Sequence, residues 1–190
     1  CLGPGMGVAD RTRSMVEVAL AAGRSTVLDA DTLTAFQDTP EMLFDQLHGR
    51  CVLTPHMGEF ARLFPDIAGQ LAAAPDGGPA FSKVDAAKAA AERAGCAVLL
   101  KGADTVIGSP ASLTWVHAAH YDRAAPWLAT AGSGDVLAGL ITGLLARGAN
   151  LPHAAAVAAW LHTECALEYG PGLIAEDLPE MVPRVLKRIT

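Results

Sequence analysis

The chain has 190 residues, enough for one domain with a substantial core, and 51% of them are hydrophobic, which excludes a disordered chain. The formal net charge is −6 and no Lys/Arg cluster occurs, which argues against nucleic acid as a main partner. No apolar run reaches membrane-spanning length and no signal peptide is visible, so no membrane partner is expected, while scattered cysteines without a CxxC pair suit a reducing cytosol and a cytoplasmic protein.

The chain opens on Cys1-Leu2-Gly3-Pro4-Gly5-Met6-Gly7, without Met, at what reads as a strand-to-loop junction. A fragment whose earlier strands lie outside this chain is therefore expected. The glycine-rich run is suited equally to a plain turn and to contact with a phosphate or nucleotide. Asp10 reads as the N-cap of a helix through Val16 and Leu20 that stops at Gly23. Ser25–Leu28 reads as a buried strand running into Asp29-Ala30-Asp31. Asp31 or Thr32 is expected to cap a helix through Leu33 and Phe36, and Asp29 stays a possible site residue, because acids at the carboxyl end of such strands fit a ligand crevice.

Cys51–Thr54 is the next expected strand, and Pro55-His56-Met57-Gly58-Glu59 follows before a helix through Phe60, Leu63 and Phe64. A lone loop histidine is usually a turn residue, but His56 again lies at a strand's carboxyl end. A mobile, Ala/Gly/Pro-rich segment is expected over 65–81. Ser82 and Asp85 resemble a capping box for an alanine-rich helix, Lys83–Ala94, closed by Gly95. Cys96–Leu100 is the most apolar strand, and Lys101-Gly102-Ala103-Asp104-Thr105 follows it. Lys101 suits a phosphate as a point charge and suits a solvated edge equally. Val106–Ile107, a turn at Gly108-Ser109-Pro110, and a strand over Leu113–Val116 come next.

The stretch Thr130-Ala131-Gly132-Ser133-Gly134-Asp135-Val136-Leu137-Ala138-Gly139 organises the chain. Glycines let a ligand approach the main chain, and the helix start that follows is an anion site. Asp135 would lie in its first turn. A cap is the ordinary reading of such an acid, and the bracketing glycines raise a catalytic one. A second helix opens at Pro152 and ends near Gly170, with His153 and His162 read as structural. A last amphipathic helix spans Leu178–Ile189. The four cysteines, Cys1, Cys51, Cys96 and Cys165, form no CxxC pair and are expected as buried free thiols, with no metal site.

Strands alternating with helices predict an α/β fold of three layers, a mainly parallel sheet flanked by helices. Five stretches, 3–7, 27–33, 53–59, 100–107 and 130–139, resemble in order those of ADP/ATP-dependent NAD(P)H-hydrate dehydratases, and Ala175–Glu180 resembles that family's closing helix start. The resemblance implies a ribokinase-like fold, a single domain over 1–190 lacking its N-terminal segment, and repair of (S)-NAD(P)H hydrate with ADP or ATP and Mg²⁺. It further implies that Lys101, Gly102, Ala103, Asp104 and Thr105, with Gly132, Ser133 and Gly134, contact the adenine nucleotide. Gly5, Gly7, His56 and Asp135 would contact the hydrate, Asp135 as general base, in a homo-oligomer, commonly a tetramer. The pattern departs from the family over Tyr121–Trp127. The alternatives are a small-molecule kinase of the same fold, hydroxyethylthiazole-type, and a truncated non-catalytic nucleotide binder.

Overall fold

The computed structural model describes residues 1–75, 77–110 and 113–189. Five strands form one sheet in the order β1 (Thr26–Leu28), β2 (Cys51–Leu53), β3 (Ala97–Leu100), β4 (Asp104–Gly108) and β5 (Trp115–Ala118). β1, β2 and β3 run parallel, and Leu2 adds a parallel bridge to Leu28. β4 and β5 pair antiparallel beyond β3. Only three residues separate β3 from β4, too few for the crossover that a parallel neighbour needs.

The strands are short apolar runs because both faces are covered. Leu28, Cys51, Leu53, Val98, Leu100 and Val106 face one helical layer, formed by α1 (Asp10–Ala21), α2 (Asp31–Ala35), α4 (Met57–Leu63), α5 (Pro65–Ala72) and α6 (Lys83–Ala94). The short α3 (Pro40–Phe44) also gives this layer its buried Leu43. Alternate residues Val27, Val52, Ala97, Leu99 and Ile107 face the other layer, α7 (Ser133–Ala146) and α8 (Leu151–Tyr169). α9 (Asp177–Ile189) packs on α8 through Leu178, Met181 and Val185. The three layers are as predicted.

Several local expectations need correction. Pro65–Ala72 is a helix, not a loop: Pro65 opens it at a position where no amide donor is missed, and Ile67 is buried. Asp10 lies inside α1, whose cap position is Ala9 without a side-chain bond. Asp31 likewise starts α2 rather than capping it. β5 lies two residues later than expected, and residues 111 and 112 of the preceding turn fall outside the described residues. The Ser82–Asp85 capping box is present, with reciprocal bonds of 2.9 and 3.2 Å. Cys51, Cys96 and Cys165 are buried free thiols whose pKa burial raises, whereas Cys1 is exposed.

Gly3 ties the first segment to the sheet. Its φ is +134°, and a Cβ there would lie 1.7 Å from the Asp29 carbonyl oxygen. Gly3→Ala is expected to cost roughly 1–3 kcal/mol, seen as a lowered melting temperature, because neither backbone can move without breaking the Leu2–Leu28 bridge.

Candidate functional site

All three parallel strands end at the same edge, and each delivers a charged or polar group there. The turn after β1 is pinned tightly. The Asp29 N–H donates to the Leu2 carbonyl at 3.0 Å, and the Asp29 carbonyl accepts from the Thr32 amide at 3.2 Å and its hydroxyl at 2.7 Å. Ala30 is held at φ +47°, a strained value for a residue with a Cβ. Asp29 is 1% exposed, and its Oδ1 accepts from Lys101 Nζ at 2.7 Å. Asp31, two residues on, accepts the Gly7 N–H at 2.8 Å and so anchors the glycine-rich loop.

After β2, His56 caps α4. Its Nδ1 accepts from the Gly58 and Glu59 amides at 2.9 and 3.3 Å, and Glu59 Oε2 accepts the His56 N–H at 2.8 Å. Nδ1 is therefore unprotonated in the neutral ring, and the proton sits on Nε2. The same Glu59 oxygen lies 3.9 Å from Lys101 Nζ, so the buried glutamate links the His56 loop to the lysine.

After β3, the Lys101 amide donates to the Pro55 carbonyl at 2.9 Å. The loop beyond it is closed by Lys83, whose ammonium donates to the main-chain carbonyls of Lys101 and Asp104 and to Asp104 Oδ1 at 3.2 Å. The sequence marks Lys83 only as the first residue of a helix. Its partners lie 18 and 21 residues away, on a loop whose path the sequence does not display.

The glycine turn faces these strand ends. Gly132 precedes α7 at φ +84°, which reverses the chain into the helix. The first N–H groups of α7 have no intrahelical acceptor, and with the helix dipole they favour an anion. Two buried polar anchors hold the turn. Ser133 Oγ donates to the Leu128 carbonyl at 2.6 Å, and His162 Nε2–H donates to the Ser133 carbonyl at 2.9 Å. Lys101 Nζ lies 3.3 Å from where a Cβ on Gly134 would be. Burial, the Asp29 carboxylate and the more distant Asp31 raise the Asp135 pKa, while Lys101 opposes them.

Between β3–β4, the glycine turn and α8 lies a cavity of about 450 Å³. Of the predicted nucleotide residues, Lys101, Gly102, Ala103, Thr105, Ser133 and Gly134 line it. Asp104 and Gly132 do not, and Asp104 is instead engaged by Lys83. The remaining walls are mainly apolar, from Ala119, Ala125, Leu128 and Leu137, with His117 and His162 as polar points. The stretch that departs from the resembled family forms part of this wall. It is strapped to α8 by Arg123 to Glu164 at 2.6 Å and by Trp127 Nε1–H to the Ala166 carbonyl at 2.9 Å. Gly5, Gly7, His56 and Asp135 do not line the cavity. The contacts of Gly7 with Asp31, and of His56 with Glu59, place those loops on the Asp29–Lys101 side instead. Lys101 touches both sides.

This arrangement has relatives. A family model described as NAD(P)H-hydrate dehydratase matches residues 1–184. The chain belongs to this family. The bifunctional NAD(P)H-hydrate repair enzyme Nnr of Salinibacter ruber is 40% identical over 190 residues, covering 97% of this chain and 32% of that protein. The ADP-dependent (S)-NAD(P)H-hydrate dehydratase of Xanthomonas campestris is 36% identical over 194 residues, covering 99% of this chain and 61% of its own. The solved ADP/ATP-dependent NAD(P)H-hydrate dehydratase from Bacillus subtilis, co-crystallised with ATP/Mg²⁺, superposes with a TM-score of 0.74 at 28% identity, over 99% of this chain and 63% of that one. The chain thus spans less than two thirds of each of these family members. The fold is ribokinase-like, as in other solved neighbours.

His162 was expected to be structural, and it is buried; burial pulls its pKa down from 6.5 to about 4, so it stays neutral. Between those values the unfolded state binds more protons than the folded one. The stability tied to neutral His162 is complete above the unfolded pKa and is lost as pH falls towards the folded value, roughly 3 kcal/mol in all. Urea denaturation at successive pH values is expected to show this acid slope in the wild type and a flatter one in His162→Gln.

Proposed function

We propose that the chain carries the nucleotide-dependent dehydration of (S)-NAD(P)H hydrate to NAD(P)H, with ADP or ATP as phosphoryl donor. The observation that carries this reading is the adjacency of a nucleotide-sized cavity and Asp135, with Lys101 and Gly134 between them. Family membership supports the substrate, and the names of the Xanthomonas and Bacillus relatives support the nucleotide. Residues 1–190 are read as one ribokinase-like domain.

The residues fit an adenine nucleotide. The apolar wall suits a base, and Lys101 with the first N–H groups of α7 suits phosphates. Among the described residues no group of three or more His, Cys, Asp or Glu side chains is placed to hold a metal ion. Mg²⁺, which keeps waters and needs few protein carboxylates, fits as an ion carried on the nucleotide phosphates. When bound, the nucleotide supplies the phosphoryl group that turns a poor leaving group, hydroxide, into a good one.

The chain's own residues do the rest. Asp135 accepts the proton of the substrate hydroxyl, and burial with the nearby Asp29 carboxylate raises its pKa, which strengthens it as a base. The N–H groups of the glycine turn, fixed by Ser133 and His162, meet charge that develops on the transferred group. The Gly5–Gly7 loop and His56 take the hydrate side, where Asp31 and Glu59 hold them. Cytoplasmic residence is part of this reading, and no helix among the described residues is long and apolar enough to cross a membrane. A homo-oligomer, as a tetramer, is also proposed. Trp115, Val116 and Val157 leave apolar surface exposed beside the edge strand β5, and light scattering giving a single-chain mass would refute assembly.

Asp135→Asn is expected to lower NADH regeneration from the hydrate by about 10²–10⁴-fold while ADP still binds. Asn preserves shape and leaves the backbone donors in place. Absorbance at the reduced-nicotinamide band measures turnover, and calorimetry measures ADP. Near-normal turnover would make Asp135 a helix residue only. Mass spectrometry separates the kinase alternative, which would accumulate a phosphorylated product. In the wild type the acidic limb of the pH–rate profile is expected above the usual aspartate range, activity falling as Asp135 takes up a proton.

A further inference from the structure

The Asp29 carboxylate is engaged on one side only. Oδ1 meets Lys101 Nζ at 2.7 Å, whereas Oδ2 is buried and has no hydrogen-bond partner. A buried carboxylate oxygen left unsatisfied costs free energy, so this pair is poorly explained as a stabilising element. The backbone nevertheless holds Asp29 firmly, through Leu2, Thr32 and the strained Ala30. The construction fixes where Lys101 points. Its ammonium is drawn away from full exposure to the cavity, to within reach of Glu59 and beside Gly134, at the seam where cavity and Asp135 meet.

We propose that Asp29 is a positioning residue for Lys101, holding the ammonium at this seam and partly neutralising it, so that phosphate-bearing ligands are gripped less tightly than the lysine alone would allow. The inference rests on the nucleotide reading of the cavity. Its logic is electrostatic. An ammonium bonded to an internal carboxylate offers an incoming phosphate less net charge, and a lysine without that bond swings into the cavity and pairs with phosphate directly. Tighter ground-state binding without a matching gain in the transition state lowers KM and kcat together.

The test is ADP binding by calorimetry to the protein and its Asp29→Asn variant, with circular dichroism to check folding. Asn keeps the shape and removes the charge, and ADP is expected to bind tighter on the order of tenfold. With hydrate as substrate, kcat and KM for ADP are expected to fall together, which simple destabilisation does not produce. In a Lys101→Met background the Asp29→Asn change is expected to have no further effect, since Asp29 acts on ADP through the lysine it positions. Unchanged or weaker ADP binding in Asp29→Asn overturns the proposal, as does tightening that persists without Lys101. Asp29→Ser, with room for water, serves if Asn does not fold; failure of both to fold makes Asp29 structural and also overturns it. ADP binding without NADH regeneration by the unmutated protein would remove the dehydratase reading and leave this test intact. Absence of ADP binding would remove the nucleotide reading and this inference with it.

Discussion

The ion pair between Asp29 and Lys101 joins residues 72 positions apart in the chain, and much of the site depends on that join. It is possible only because β1 and β3 run parallel, with β2 between them, so that the turns after all three open on one edge. An antiparallel neighbour would send one of the two residues to the opposite edge. The price of the join is visible in the buried, unpartnered Oδ2. Breaking a buried pair by removing one partner typically costs about 3–5 kcal/mol, yet the intact pair adds little net stability. The sheet therefore specifies the position of the lysine more than it gains from the contact.

The second constraint is the rigidity of the glycine turn. Glycine residues free to take unusual angles would leave an anion site loose unless something else fixed it. Ser133 and His162 supply that. One ties the turn back to Leu128 in the preceding 3₁₀ segment, and the other ties it to α8. Because His162 donates through Nε2 to a carbonyl and is kept neutral by burial, the anchor does not change with pH across the neutral range. The wall segment 121–128 is in turn fixed to α8 by Arg123 and Trp127. Glu164, which receives Arg123, also receives Arg188 from α9, so the cavity wall and the last helix share one acid.

The parallel core was legible because a strand buried on both faces must be apolar throughout, and Val27-Leu28, Cys51–Leu53 and Ala97–Leu100 are. The antiparallel edge was less so. β5 carries exposed Trp115 and Val116, so burial does not mark its bounds. Gly102 and Thr105 could be read as loop residues near a phosphate, but Asp104 and Thr105 begin β4, and a side chain at that point alternates between faces. The candidate site was legible as separate strand-end and helix-start stretches, each carrying glycine or charge. The sequence marks Asp29 as a possible site residue and fits Lys101 equally to a phosphate contact and a solvated edge. Their pairing was invisible, as were the roles of Glu59 and Lys83, because each depends on contacts between elements far apart in sequence.

The two sides of Lys101 also bear on which chemistry the fold performs. A general base and an anion site at a helix start serve any phosphoryl transfer to a hydroxyl, so they do not separate a kinase from the proposed dehydratase. The difference must lie in the fate of the phosphorylated substrate. A dehydratase lets the phosphate leave from the substrate, whereas a kinase keeps it on the product. Such a reaction demands little beyond the base: a site that orients the ring and does not trap the product. Under the proposed reading the hydrate side consists of backbone-rich loops around Gly5 and Gly7 and of a histidine already committed to capping α4. In that reading His56 Nε2, which lies 3.6 Å from Glu59 Oε1, is the ring nitrogen left to orient a ligand. The proposed mechanism, with orientation by a held imidazole and base chemistry left to Asp135, thus divides the labour between a strand end and a helix start that meet at one edge of the parallel sheet.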